Sequence, residues 1–398
     1  MYQYPLASTT WGSEELQAIE RVMESGFYSM GEFVAEFESA FASFHGSKFA
    51  TMVNSGSSAN LIAVAGLRMK SLGSSGVFNL RDSGTREVIC PAVSWSTTYF
   101  PLIQNGFTIK LVDVDVDTFN IDVRQVAAAI NEKTVGILAV NLLGNPADLR
   151  SLRSIATEND VWLIEDNCES MGAWSNDSYT GTLGDCGTFS FFYSHHICTM
   201  EGGMVLTDDS ELDEILKSLR AHGWARHIPI EKNFMGQERV NQWEENFRFY
   251  LPGFNLRPLE MEGAIGIEQL RKFPKLLDNR VQNANTLRRL LESNEIDYKL
   301  QQVRPSDKSS WFTFGFVPKS KRVTVSREDT IRKLEKVGIQ SRPLVAGNIA
   351  RHPVSNYIEL NAHSELVNSD FIHHHGFMVG NHGFDITPQL ELLVENLK

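Results

Sequence analysis

Two histidines, His195 and His196, stand in SFFYSHHICTMEGG at 190–203, between the end of an apolar run and a glycine pair. An imidazole with an ordinary pKa of about 6.5 gives and takes protons near neutral pH, so a histidine on such a turn is a candidate general acid–base. A lone histidine is more often occupied by structural hydrogen bonds. Its company decides, and three stretches supply it. NSGSSAN at 54–60 sets Gly56 and Ser57 just ahead of an apolar helical run, where free N–H groups and hydroxyls can hold a phosphate; a plain serine cap explains the same residues. LIEDNCES ends an apolar strand on Glu165, Asp166 and Asn167, at the edge where open α/β sheets bind ligands. A carboxylate there can pair with a protonated ring nitrogen or merely cap the next helix. PAVSWSTTY at 91–99 carries Trp95 on a hydroxyl-rich loop, where an indole can cover a flat ring or belong to the core.

The elements that must position these residues alternate. Amphipathic helical stretches over 13–25, 31–44, 58–72, 148–159 and 209–222 are interleaved with short apolar runs at 87–90, 109–115, 135–144, 161–166, 187–193 and 202–209. The pattern predicts an α/β fold with a mainly parallel sheet flanked by helices. From Pro258 the pattern changes to a long helical stretch interrupted near Pro274, a strand in SSWFTFGFVP and a helix in REDTIRKLEKVG. The expected division is a large α/β domain over 1–257 and a smaller C-terminal α+β domain over 258–398. HHH at 373–375 reads as a helix end, since no acidic or cysteine partner shows metal-ligand spacing.

Composition narrows the function classes. The chain has 398 residues, 42% of them hydrophobic, and a net charge of −12 that opposes non-specific nucleic-acid binding. No apolar run of about 18 residues suggests a membrane span, and the N-terminus lacks a basic and apolar leader, so a soluble cytoplasmic protein is expected. Cys90, Cys168, Cys186 and Cys198 lack CxxC spacing, which favours reduced, mostly buried thiols over a zinc or iron–sulfur site.

In order, the chain offers a phosphate cup, an aromatic lid, a strand-end aspartate, Ser190 five residues ahead of His195, and then Glu201-Gly202-Gly203. That order resembles the pyridoxal-phosphate enzymes of the aspartate aminotransferase fold, in the DegT/DnrJ/EryC1/StrS branch acting on nucleotide sugars. Members of that branch carry S-F-x-x-x-K-x-x-x-x-x-E-G-G, with the lysine bonded to the cofactor; here His195 stands at the lysine position. YPLASTTW, VNLLGNP, RAHGW, LPGFNLRPLEMEGAIGIEQL and VGNH further resemble the 3-dehydratases that act on GDP-4-keto-6-deoxymannose on the route to colitose, a dideoxysugar of lipopolysaccharide O-antigens.

The resemblance implies a type I pyridoxal-phosphate fold and a lyase that removes the sugar C3 hydroxyl. Pyridoxal and pyridoxamine 5'-phosphate would be its cofactor forms and L-glutamate its amino donor, with 2-oxoglutarate and ammonia released. It implies that His195 is catalytic, Asp166 pairs with the ring nitrogen, Trp95 covers the ring, and Glu169 lies near the ring hydroxyl. Gly56, Ser57 and Ser190 would hold the phosphate, joined by Asn255 of a neighbouring subunit in a homodimer. Ser194, His222 and Arg257 are candidate substrate contacts. A related group that shares the histidine uses an iron–sulfur cluster and a reductase, but the required cysteines do not follow RAHGWARH, so neither is expected. A sugar aminotransferase and a non-catalytic sensor are the alternatives; the first ordinarily needs the missing lysine.

Overall fold

The computed structural model describes residues 2–72, 86–320, 322 and 325–398. Its central sheet has eight strands in the order Phe49–Val53, Gly203–Thr207, Cys186–Ser190, Trp162–Asp166, Thr134–Val140, Glu87–Pro91, Thr108–Val112 and Leu360–Ala362. Gly203–Thr207 runs antiparallel to both of its neighbours, and the remaining neighbouring pairs are parallel. Strand alternation sorts the apolar residues onto two faces. Val88, Cys90, Leu138 and Ile164 join the core that includes Ile62 of the helix Gly56–Leu72 and Leu216 of the helix Ser210–Arg220. Ile89, Ile137, Ala139 and Leu163 pack with Leu149 and Leu152 of the helix Leu149–Glu158. Both faces are covered, which is why these strands read as continuous apolar runs.

A second sheet is antiparallel throughout, in the order Tyr298–Leu300, Thr313–Pro318, Phe377–Gly380 and Ser341–Pro343. The helix Glu260–Glu292 runs past it for 33 residues and continues through Pro274, so the expected interruption does not occur. A proline inside a helix costs about 3 kcal/mol in lost bonding and ring clash. Packing at both ends outweighs that: Ile267, Leu270 and Phe273 lie in one core, and Ala284 and Leu287 in another. The expected division at 257/258 falls in the loop just before this helix, and two segments cross it. Tyr4 is buried among the C-terminal apolar residues, and Leu360–Ala362 extends the central sheet. The 373–375 histidines end the helix Val367–His375, as expected.

Candidate active site

The parallel strands bring their carboxyl ends to one edge, and the segments that follow them wall a cavity of about 350 Å³. Ser55–Ser57 follow Phe49–Val53, Ser94–Thr98 follow Glu87–Pro91, Asp166–Glu169 follow from Trp162–Asp166, and Ser190–His195 from Cys186–Ser190. Phe312 and Arg342 close it from the C-terminal side.

Adjacent carboxylates separate on the strand that supplies the floor. Glu165 is fully buried and accepts the Gly181, Leu183 and Gly184 N–H groups at 2.7, 2.6 and 2.7 Å, so it fastens the loop 181–184. Asp166 points the other way, into the cavity. Its Oδ2 accepts from Asn60 Nδ2 at 2.9 Å and Thr98 Oγ1 at 2.7 Å, and its Oδ1 from the Cys168 N–H at 3.3 Å. Asn60 is oriented in turn by Thr188 Oγ1, which donates to its Oδ1 at 2.6 Å, and Thr98 shares a hydrogen bond with Ser94. Asp166 is only 4% exposed, and among the described residues it has no cation within ion-pair distance. A buried carboxylate calls for an opposite charge, and here the open side of the carboxylate is the cavity.

The cup lies at the start of the helix Gly56–Leu72, where Ser55 Oγ accepts the Ser58 N–H at 3.1 Å and Ser57 Oγ donates to Thr97 Oγ1 at 3.0 Å. A Cβ on Gly56 would stand 2.4 Å from Ser190 Cβ, so the close approach of these two segments needs glycine. Trp95 stands half exposed at the mouth, with the Arg342 guanidinium 6.0 Å from its ring centre.

His195 and His196 face different surroundings. The His195 ring lines the cavity, stacks on Phe312 at 5.1 Å and 21°, and leaves a buried Nδ1 with no hydrogen-bond partner among the described residues. Burial lowers its pKa to about 4, the positive charges of Arg280 and Arg342 add to this, and a backbone hydrogen bond to Cys168 opposes it. His196 is 1% exposed, with Nε2 on the Ser310 carbonyl at 3.2 Å and its ring against Phe273 and Phe312. Glu169 accepts the Leu143 N–H at 3.0 Å; burial raises its pKa to about 7, helped by the Asp166 charge and opposed by that N–H and by Arg342.

Gly56, Ser57, Trp95, Asp166, Glu169, Ser190, Ser194 and His195 thus meet in one cavity. Asn255, Arg257 and His222 do not line it within this chain. Asn255 is exposed, accepts from Arg257 Nε at 3.3 Å and pairs with Ala221, next to His222. Sequence reasoning missed Asn60, Thr98, Phe312 and Arg342. The first two lay inside motifs already singled out; the last two have no local signal.

The chain matches the DegT/DnrJ/EryC1/StrS aminotransferase family over residues 9–383. It is 46% identical to a GDP-4-keto-6-deoxy-D-mannose 3-dehydratase of Yersinia pseudotuberculosis, over 100% of this chain and 99% of that protein. It is 44% identical to the one of Escherichia coli O55:H7, over the whole of both chains. A solved E. coli GDP-4-keto-6-deoxy-D-mannose-3-dehydratase with bound hydrated PLP superposes with a TM-score of 0.93 at 43% identity, covering 100% of both chains. A structure of such a dehydratase with a trapped PLP–glutamate geminal diamine superposes at 0.92 and 42% identity, again over 100% of both chains. With full-length likeness in sequence and in fold, the chain belongs to the DegT/DnrJ/EryC1/StrS aminotransferase family.

Proposed function

We propose that the protein removes the C3 hydroxyl of GDP-4-keto-6-deoxy-D-mannose, yielding GDP-4-keto-3,6-dideoxy-D-mannose, with pyridoxal phosphate as cofactor and L-glutamate as amino donor. 2-Oxoglutarate and ammonia are the co-products. The observation that carries this reading is His195 facing the same cavity as Asp166, with no lysine among the lining residues.

The residues fit the cofactor. Asp166 offers a buried negative charge to a protonated ring nitrogen, the Gly56–Ser57 turn and Ser190 offer N–H and hydroxyl donors to a phosphate, and Trp95 offers an aromatic face. When bound, the cofactor supplies an electron sink and carries the amino group and electron pair taken from glutamate. His195 does the proton work. With a pKa of about 4 it is neutral at pH 7 and can accept a proton from glutamate Cα. The same depression makes its conjugate acid strong, which suits donation to the departing C3 oxygen. Histidine cannot bond to the cofactor as lysine does, so release of an amino sugar by lysine exchange is closed off. Asn255, with Arg257 and His222 beside it, is assigned to a second subunit's cavity in a homodimer, because its own chain leaves it on the surface. We place the reaction in the cytoplasm; among the described residues no helix is long and apolar enough to cross a membrane.

The test is to incubate the protein with pyridoxal phosphate, L-glutamate and GDP-4-keto-6-deoxymannose and follow the sugar by mass spectrometry. Loss of one oxygen together with ammonia and 2-oxoglutarate is expected. A sugar that gains an amino group makes the protein an aminotransferase, and no turnover removes the reading.

A further inference from the structure

His373 lies outside the cavity, yet it holds a loop that joins both sides of the cavity mouth. The loop 344–352 follows the strand Ser341–Pro343, which carries Arg342 into the cavity. Its middle docks on the large domain just ahead of Trp95. Asn348 forms an antiparallel bridge with Val93, and the Ile349 N–H donates to the Ala92 carbonyl at 3.0 Å. Asn348 is fully buried, with Nδ2 donating to Asp370 Oδ1 at 2.8 Å and Oδ1 accepting the Ala350 N–H at 3.0 Å. Its backbone N–H donates to His373 Nδ1 at 3.2 Å. An accepting Nδ1 must carry a lone pair, so the ring is neutral with its proton on Nε2. Gly347 makes room for the ring: it sits at φ +66°, and a Cβ there would be 2.6 Å from His373 Nδ1.

We propose that His373 is a positioning residue: by accepting from the Asn348 N–H it pins the loop 344–352, so that Arg342 and Trp95 are held facing each other across the cavity mouth. Protonation of Nδ1 replaces the acceptor with a second donor facing an N–H group, and the pin is lost. The inference rests on the proposed function only for the ligands that report it.

The groups around the ring set when this happens. Burial, the rings of His374 at 5.0 Å and His352 at 5.6 Å, and Arg327 all disfavour a charged His373, while Asp370, itself paired with Arg351, favours it. The balance lowers the pKa, so the pin is closed at neutral pH and opens only below the ordinary histidine range.

The experiment compares His373→Leu, which removes the acceptor, with His373→Asn, whose Oδ1 replaces Nδ1 without titrating. Hydrogen exchange over 344–352, pyridoxal phosphate affinity by absorbance titration, and KM for glutamate against kcat are read for each across pH. Loss of one hydrogen bond is expected to raise exchange in that segment, to raise the glutamate KM about fivefold through Arg342, and to raise the cofactor Kd by a smaller factor of about threefold through Trp95, with kcat within about twofold. His373→Asn should restore all three and flatten the acid-side response of the exchange. Unchanged exchange in His373→Leu, or a loss of kcat alone that asparagine does not rescue, overturns the proposal. Should His373→Leu fail to fold, exchange in the wild type against His373→Asn decides. Acid-triggered opening in the wild type alone supports the pin, and the same acid response in both overturns it. A wild type that binds no pyridoxal phosphate would defeat the functional reading while the exchange data still judged the pin.

Discussion

Asp166 on the cavity floor takes hydrogen bonds from Asn60, Thr98 and the Cys168 N–H, whereas the Arg342 guanidinium on the opposite wall makes no hydrogen bond or ion pair among the described residues. The floor's donors are themselves held, Asn60 by Thr188 and Thr98 by Ser94. Such a network fixes one charge in one place, at the cost of side-chain freedom. The wall keeps that freedom. A site that must take an amino acid first and a nucleotide sugar second needs both: an invariant partner for what stays bound, and a mobile cation for anions that change. The contrast predicts that floor substitutions reduce the chemical step and cofactor binding, and that wall substitutions chiefly change substrate KM.

The largest effect should come from His195, which works above the floor. Replacing it with asparagine removes the proton carrier while keeping a polar group of similar size, and kcat should fall by about 10⁴-fold with cofactor affinity little changed. Rates from stopped assays of 2-oxoglutarate release would show it, and a fall of less than tenfold would mean that another group moves the proton. His195→Lys should instead become covalently attached to the cofactor, a mass increase made permanent by borohydride.

Asp166→Asn tests the floor itself. The amide keeps the shape but removes the charge that faces the ring nitrogen, and stripping one partner from a buried ion pair costs about 3–5 kcal/mol. A cofactor Kd raised about a thousandfold in absorbance titrations is the expected result. A change below tenfold would mean that the floor's negative charge is not what the ligand reads.

Glu169 separates stability from binding. Its folded pKa of about 7 lies above the ordinary 4.5, because burial penalises the carboxylate. The sign follows: folding takes up a proton between those values, so the penalty is absent below about pH 4.5, grows with pH, and is full above about 7. Glu169→Gln should therefore stabilise the cofactor-free protein by about 3 kcal/mol at pH 8. The gain should vanish near pH 4.5, as measured by urea unfolding. A gain that is equal at both pH values would place its origin in packing rather than in charge.

The floor was legible in the sequence and the wall was not, for one physical reason. Asp166 on the floor sits where an apolar run stops, and Trp95 at the mouth and the turn at Gly56 sit in short segments bordering such runs, so the pattern that defines the elements also marks these residues. Asn60 was within reach, one turn into a helix read from the sequence, whereas Thr98 lies in the helix Ser96–Gln104, whose segment reads as a hydroxyl-rich loop. Phe312 and Arg342 come from the second sheet, and only tertiary packing sets them opposite His195 and Trp95. The expected break at Pro274 and the unread strand Leu360–Ala362 share that cause: the helix Glu260–Glu292 survives Pro274 through packing at both ends, and Leu360–Ala362 joins the central sheet from far along the chain. Pairing across that distance leaves no periodic trace. His195 is intermediate, since its place in the site was readable but its burial against Phe312, and hence its lowered pKa, was not.

Arg342→Met is the mildest and most discriminating test of the contrast. Methionine keeps much of the apolar stem beside Trp95 while removing the charge, so cofactor affinity, set by the floor, should stay within about twofold. The KM of an anionic substrate should rise about tenfold, the cost of losing one partly solvated charge contact. Removing Arg342 also relieves His195 of a neighbouring positive charge and Glu169 of a negative-favouring one, so both pKa values should move up. The acid limb of the kcat profile would then shift to higher pH in the variant. If instead the cofactor Kd rises as far as KM does, the wall is as fixed as the floor, and the separation between a constant partner and an adaptable one fails.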